Sequence, residues 1–330
     1  MSLVSVVVVN FNGRAHLADL LASLARQVRP ADEVILVDNA STDGSVAFVR
    51  DAFPWVVVVA LAENVGFAEG NNVGVANARG DSIALLNPDT VVDRRWLAEL
   101  IGAIDGDAAI GAVVPKIYRA GSSPPTIEQA GAAFNNLGHC WTRGYNQPDR
   151  GQFDAPGEVA ILTGCSALVR RAALAGEALF DPRLFMYYEE LELSLRLRGK
   201  GYRIVYNPRS IVHHKGMQSI EQATARPKLV QQYYCNRNRL KILLRYYPPS
   251  MLVRNLPLIV LSVLYWDAVF LLRAGPAFCL RAVAAQVRFA AAGLWERRAA
   301  NGVDPARWIP WITHQGLRDI RALRTDRGEA

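Results

Sequence analysis

Three short blocks of this chain carry side chains that can move protons, hold a cation or meet a phosphate. Glu189, Glu190 and Glu192 stand just before Leu193, Leu195 and Leu197, with Arg196 and Arg198 among them, a pattern that predicts the first turn of an amphipathic helix. A helix dipole favours acidic residues there without any catalysis, and a carboxylate in the same place can take the proton of an attacking hydroxyl. Neighbouring helical residues point about 100° apart, so Glu189 and Glu190 cannot both aim at one hydroxyl. Arg196 can orient a carboxylate, contact a phosphate or close a surface ion pair. The second block, Asn87-Pro88-Asp89-Thr90, directly follows the apolar run Ile83 to Leu86. A carboxylate at a strand end is placed to hold Mg²⁺ or Mn²⁺ against diphosphate oxygens, although Asn-Pro also starts ordinary turns. The third block is His213-His214, after Ile211 and Val212. A neutral imidazole there can ligate Mn²⁺, a protonated one can donate to a diphosphate, and a histidine pair can also be purely structural.

The elements around these blocks follow from hydrophobic period. Val4 to Val9 is an unbroken β-branched run ending in Asn10-Phe11-Asn12-Gly13, and Leu17, Leu20, Leu21 and Leu24 then recur at helical spacing; this predicts strand, loop, helix. Val34 to Val37, Val56 to Leu61 and Ile83 to Leu86 are further short strands, the first of them leading into Asp38-Asn39-Ala40-Ser41-Thr42-Asp43-Gly44. Buried strands alternating with helices predict an α/β fold, a mostly parallel sheet with helices on both faces and its ligand at the carboxyl ends of the strands. The polar clusters fall at those ends. A dinucleotide fold of GxGxxG type needs more glycines than the one in Asn10-Phe11-Asn12-Gly13-Arg14, and no GxxxxGK[ST] loop is present. Asp38 can accept hydrogen bonds from a base or ribose, and asparagines supply donors and acceptors. The same segment can equally be an Asx turn leading into a helix.

With 51% hydrophobic and 20% charged residues in 330, the chain has material for two domains and is not disordered. Cys140, Cys165, Cys235 and Cys279 lie too far apart for a metal knuckle or a disulfide framework, so buried thiols are expected. Met1 runs straight into the first strand without a basic leader, which sets the expectation of a reducing, cytosolic setting.

Six blocks in order, VVVVNFNG at 6–13, VDNASTDGS at 37–45, ENVGFAEGNNVG at 63–74, LLNPDT at 85–90, FMYYEELELSLRLRGKGYRIVYNP at 185–208 and VHHKGMQS at 212–219, resemble glycosyltransferase family two: inverting, nucleotide-sugar-dependent enzymes of the GT-A fold, and particularly their bacterial rhamnosyltransferase-like branch. The resemblance covers about residues 1–245. It implies that Asn10, Asn12, Asp38, Asn64, Gly66, Asn71 and Asn87 surround the donor nucleotide with Asp89, that Asp89 and His214 hold Mg²⁺ or Mn²⁺, and that Glu190 is the base beside Glu189 and Arg196. Thr163-Gly164-Cys165-Ser166 is similar to the family's block on the acceptor side, where Gly164 permits close backbone approach. The chain departs at Asn87, where the family's Asp-x-Asp motif has its first aspartate, and at Glu190, one methylene longer than the usual aspartate. The implied activity is transfer of a sugar, rhamnose from dTDP-rhamnose or a hexose or N-acetylhexosamine from a UDP donor, to a saccharide or polyprenyl-diphosphate-linked glycan. A non-catalytic nucleotide-sugar-binding protein is the reading from another class.

The expected organisation is a catalytic domain over 1–230, its donor half about 1–115 and acceptor half about 116–230, followed by a helical region over 231–330. That last region holds 15 Lys and Arg against 6 Asp and Glu. Apolar and aromatic residues interleave this charge, from Leu256 to Trp266 and from Ala268 to Leu272, which favours an anionic membrane over nucleic acid as partner. The twelve uncharged residues between Arg254 and Asp267 fall short of the roughly 20 that a span needs. The expectation is therefore a peripheral or monotopic segment on the cytoplasmic face of a bacterial inner membrane, with a core hairpin of a soluble domain as its rival. Arg237, Arg239 and Lys241 would then be free to meet a lipid-linked diphosphate.

Overall fold

The computed structural model describes residues 2–216, 226–297 and 303–313. The end of the 212–219 block and the last basic residues of the tail lie outside them. The chain divides into two compact units, Met1–Ala132 with Thr142–Ala225, and Ala133–Trp141 with Arg226–Ala330. The change of unit thus comes at Arg226, and the stretch Ala133–Trp141, expected in the first unit, belongs to the second.

In the first unit β1 (Val4–Asn10), α1 (Arg14–Ala25), β2 (Glu33–Asp38), α2 (Ser45–Ala52), β3 (Val57–Ala60), α3 (Gly66–Asn77) and β4 (Ser82–Leu86) alternate as the pattern requires. They are followed by β5 (Thr90–Val92), α4 (Trp96–Asp105), β6 (Ile110–Arg119) and β7 (Thr126–Gln129); then, after β8 (Ala132–Asn135) and β9 (Cys140–Thr142), which lie mostly in the second unit, by β10 (Gln147–Pro148), β11 (Gly157–Glu158), β12 (Ser166–Arg170), α5 (Arg171–Leu174), α6 (Glu189–Gly199) and β13 (Arg203–His214). The order β3-β2-β1-β4 is parallel throughout, with Asn10 opposite Asp38 and Asp38 opposite Ala60. Beyond β4 the sheet changes direction: β12 runs antiparallel to both β4 and β6, while β13 runs parallel to β6 and antiparallel to β5.

This reversal assembles one edge. The parallel strands end at Asn10, Asp38 and Leu86, whereas β12 begins at Ser166, opposite Leu86. The segment before β12 is therefore brought beside the segment after β4, and Asn87 donates its backbone N–H to Cys165 O at 2.9 Å. β13 ends with His214 opposite Thr90, next to Asp89.

Both sheet faces are packed, which is why the strands read as continuous apolar runs rather than alternating ones. Val4, Val6 and Val8 pack with Leu17, Leu20 and Leu21 of α1 and with Trp96, Leu97 and Leu100 of α4. Val7, Ile83 and Leu85 face the other way, with Leu193 and Leu197 of α6. Each such side chain, fully buried, contributes about 1.5–3 kcal/mol. α6 is not the amphipathic helix expected: from Leu191 to Gly199 every residue is buried.

The second unit contains α7 (Pro227–Tyr246), α8 (Pro249–Ala274), α9 (Pro276–Glu296) and β14 (Ile312–Thr313), which pairs with β8. The cations of α7 turn inward. Arg239, 1% exposed, donates to Leu137 O at 2.9 Å and Ser262 Oγ at 3.0 Å. Lys241 lies 3.4 Å from Glu296 Oε2, and the Arg237 guanidinium stacks on Tyr234 at 4.5 Å and Phe289 at 4.3 Å. This corrects the expectation that these three are free for a diphosphate.

α8 continues through Asp267 without a break, and the carboxylate accepts from Gln286 Nε2 of α9 at 2.9 Å. Both α8 and α9 are long and apolar enough to cross a membrane by length and composition, so the count of twelve residues understates the apolar length. In α8 only Asn255, Ile259 and Phe270 are buried.

Candidate active site

The donor-side loops are tied together by their own asparagines and by Ser41. Asn10 Nδ2 donates to Asp38 Oδ1 at 2.9 Å and to Ser41 Oγ at 3.2 Å, and Ser41 N donates to Asp38 Oδ2 at 2.9 Å. Asn12, at φ +51°, donates its N–H to Ser41 Oγ at 2.8 Å and accepts from Thr42 N at 2.9 Å. Asp43 accepts from Arg14 N and Ser45 N at 2.8 and 3.0 Å, so the Asx-turn reading of this loop is realised by Asp43 while Asp38 holds the strand end. Asn39, not singled out by its sequence, carries the network onward: it accepts from Val65 N at 2.9 Å and donates to Gly66 O at 3.1 Å. Asn64 accepts from Gly66 N at 2.9 Å and so shapes the entry to α3.

Three of the proposed donor contacts face inward: Asp38, 2% exposed, has both carboxylate oxygens taken up by Asn10 and Ser41, and Asn10 and Asn71 are equally enclosed. Asn10 is fully buried, its amide nitrogen spent on Asp38 and Ser41 and its Oδ1 without a partner; it positions Asp38 and cannot reach a nucleotide. Asn71, 2% exposed, donates to Phe67 O one turn back at 2.8 Å. Asn72 instead makes the long-range contact, clamping Phe180 through its backbone O and N, both at 2.9 Å.

Gly66 connects the donor side to the acidic block. It sits at φ +86°, and a β-carbon there would lie 2.5 Å from the Phe185 ring and 2.6 Å from Phe185 O. Ala68 N donates to the same carbonyl at 3.1 Å. Phe185, Tyr187 and Tyr188 all have positive φ, 67°, 66° and 73°, a strained conformation for bulky side chains and one that gathers at functional sites. This turn delivers α6 with Glu189 and Glu190 in its first turn.

The two glutamates diverge as the 100° step requires. Glu189 is 3% exposed and its Oε2 has no partner; burial first, and then the neighbouring Glu190 charge, hold its carboxyl well above the usual range. Glu190 is half-buried, and its carboxylate lies against Gly164. Burial raises its pKa, opposed by backbone N–H groups including that of Gly164. A partly buried carboxylate with a raised pKa is a stronger base than an exposed one. Thr163, 2% exposed, turns its Oγ1 to Cys165 N at 3.2 Å and shapes the turn.

Arg196 does not join this group. Its guanidinium binds Glu192 at 3.0 Å, Glu177 at 3.0 Å and the carbonyls of Ala178 and Leu179. It anchors 177–179 to α6, a structural role that corrects its assignment to the site.

Asp89 and His214 are together at the other side of the strand edge. His214 Nε2 lies 3.2 Å from Asp89 Oδ1 without hydrogen-bond alignment, and its Nδ1 is 2.6 Å from Glu128 Oε1. Burial opposes a charge on His214, but the two carboxylates outweigh it and push the pKa up to about 10; the imidazole in turn lowers that of Asp89, against its burial. Partly buried Cys165 is held well above its usual pKa by desolvation and by the charges of Asp89 and Glu128. Glu128 had no motif to reveal it. Once Nε2 gives up its proton, His214 would offer a divalent cation an imidazole nitrogen beside the Asp89 oxygen, its other ring nitrogen being bound to a second carboxylate, as is usual for a ligating histidine. Among the described residues no third His, Cys, Asp or Glu completes a cluster, so such an ion would take its remaining ligands from the diphosphate and water.

Residues 5–176 match the family described as Glycosyl transferase family 2. Over 233 residues, 64% of this chain and 75% of the relative, the sequence is 30% identical to N-acetylglucosaminyl-diphospho-decaprenol L-rhamnosyltransferase of Mycobacterium tuberculosis. Among solved structures, GalNAc-T7 with UDP, GalNAc and Mn²⁺ superposes with a TM-score of 0.63 at 17% identity, covering 98% of this chain and 58% of that one. The mannosyltransferase PcManGT of Pyrobaculum calidifontis with GDP-Man and Mn²⁺ gives 0.53 at 19% identity, covering 98% and 84%. Both share the GT-A fold seen here. The chain belongs to glycosyl transferase family 2.

Proposed function

We propose that the chain transfers a sugar from a nucleoside-diphosphate donor to an acceptor hydroxyl by single displacement with inversion. The observation that carries this reading is the Glu190 carboxylate, half-buried, seated on Gly164 and carried on a turn that also contacts the donor-side loop at Gly66. Glu190 takes the acceptor proton as the hydroxyl attacks the anomeric carbon. The backbone of 64–66 borders the nucleotide, and Asp38, buried and fixed by Asn10 and Ser41, holds the strand end beneath it. Asp89 and His214 would hold Mg²⁺ or Mn²⁺, whose charge stabilises the departing diphosphate.

The donor we propose is dTDP-rhamnose and the acceptor a polyprenyl-diphosphate-linked saccharide, supported by the name of the mycobacterial relative. UDP-hexose and UDP-N-acetylhexosamine are the competing donors, since the structural neighbours bind UDP and GDP-Man. An exposed apolar stripe on α8, Val253, Leu256, Val260, Leu264 and Leu272, lies beside Arg254 and Arg273 and supports docking on the anionic cytoplasmic face of a bacterial inner membrane.

Transfer assays with dTDP-rhamnose and the UDP sugars, run on the full chain and on Glu190→Gln, test the reading. The expected result is turnover with dTDP-rhamnose that falls by about 10² or more in the variant while donor affinity stays. Near-normal turnover in Glu190→Gln removes the base assignment, turnover with a UDP sugar alone replaces the donor, and none with any donor favours the non-catalytic reading.

A further inference from the structure

We propose that Glu128 is a positioning residue for His214, aimed by a β-bulge so that the imidazole Nε2 is kept facing Asp89. β7 pairs antiparallel with β6, and the register slips between Ile117, opposite Gln129, and Tyr118, opposite Ile127. The residue left over on β7 is Glu128. A bulge leaves its extra residue out of the ladder and re-aims its side chain, and here the chain reaches across β6 to the strand on its far edge, where His214 is paired with Arg119. The contact is short, 2.6 Å from Glu128 Oε1 to His214 Nδ1. In regular register Glu128 would occupy a ladder position with a partner on β6.

The consequence is geometric. With Nδ1 bound to Glu128, the ring plane is fixed and the second nitrogen lies 3.2 Å from Asp89 Oδ1. Loss of the Glu128 acceptor frees the ring to rotate, so that carboxylate and imidazole no longer converge. This proposal rests on the reading of Asp89 and His214 as a cation site, and its test separates the two.

The experiment is titration of the full chain with Mn²⁺ alone, free Mn²⁺ being read by electron paramagnetic resonance, for the unaltered protein and for Glu128→Ala, Glu128→Thr, Glu128→Gln and Asp89→Ala. Threonine suits a strand but is too short to reach His214, so it removes the acceptor even if the alanine variant fails to fold. The expected result is a loss of Mn²⁺ affinity of about 10 to 100-fold in Glu128→Ala and Glu128→Thr. Glu128→Gln, which keeps an oxygen for the Nδ1 proton, should restore most of it. Equal affinity in folded Glu128→Thr and the unaltered chain overturns the proposal, as does a glutamine variant as weak as the threonine one. Absence of Mn²⁺ binding by the unaltered chain, matching Asp89→Ala, removes the cation reading itself and this proposal with it.

Discussion

A β-carbon at Gly164 would lie 2.5 Å from Glu190 Oε1 and 3.2 Å from its Cγ and Cδ, so this glycine clears the space in which the carboxylate rests. Sheet reversal makes the contact possible, because β12 starts where β4 ends and places Gly164 on the edge that carries Asn87 and Asp89.

Gly164→Ala therefore divides stability from activity. The displaced atom is the free end of a flexible side chain, which swings away at little cost to the fold, but a displacement of about 1 Å at a reacting group can lower turnover by about 10². We expect a melting temperature close to that of the unaltered chain, with kcat reduced by about that factor and donor affinity kept. Full kcat in the variant would show that the carboxylate does not act from this position.

Glu189 gives a prediction with the opposite sense. Burial and the neighbouring Glu190 charge raise its folded-state pKa well above the usual carboxylate value. A group with a raised folded pKa contributes stability that is fully present below its unfolded pKa, about 4.3, and is lost as pH rises through the folded value. Glutamine, neutral at every pH, escapes that loss. Glu189→Gln should melt higher than the unaltered chain at pH 8, and the gain should shrink toward pH 4. A gain that is constant with pH would mean that Glu189 is not held in its neutral form.

The legible parts of the fold are those where local chemistry and burial agree. Val4 to Val9 and Ile83 to Leu86 read as strands because both faces of the sheet are covered, and Asp38 and Asp89 read as edge residues because each follows such a run. The block that carries Glu190 was visible through its acidic first turn, but the role of Arg196 was not. An Arg three positions after Leu193 suggests a solvent face, whereas α6 is enclosed and its arginines are satisfied by Glu192, Glu177 and backbone carbonyls. Glu128 was hidden for another reason: a bulge on a four-residue strand has no period and no motif, and its partner is 86 residues away. Asn10 shows the limit of composition, since a buried asparagine that fixes an aspartate and one that meets a ligand are the same letter. In the second unit Asp267 breaks the apolar count but not the helix, since one aspartate costs a helix interior little and Gln286 hydrogen-bonds this one.

The exposed side of α8 leads to the last prediction. Val253, Leu256, Val260 and Leu264 recur at three and four residues and share one face, and Leu272, 84% exposed, extends the apolar surface toward the end of the helix. An apolar stripe of this length on a basic unit is suited to an interface, with each basic residue near an anionic surface adding about 1 kcal/mol of attraction, screened by salt. The full chain should float with vesicles of anionic lipid, less with neutral ones, and be partly released by high salt. Leu264→Glu with Leu272→Glu, both at exposed positions that leave the packing intact, should abolish flotation without changing the melting temperature. Retention through alkaline carbonate, with protease cleavage sites open on both sides of the bilayer, would establish that α8 and α9 cross it instead. Equal recovery of the double variant with vesicles would remove α8 as the docking surface.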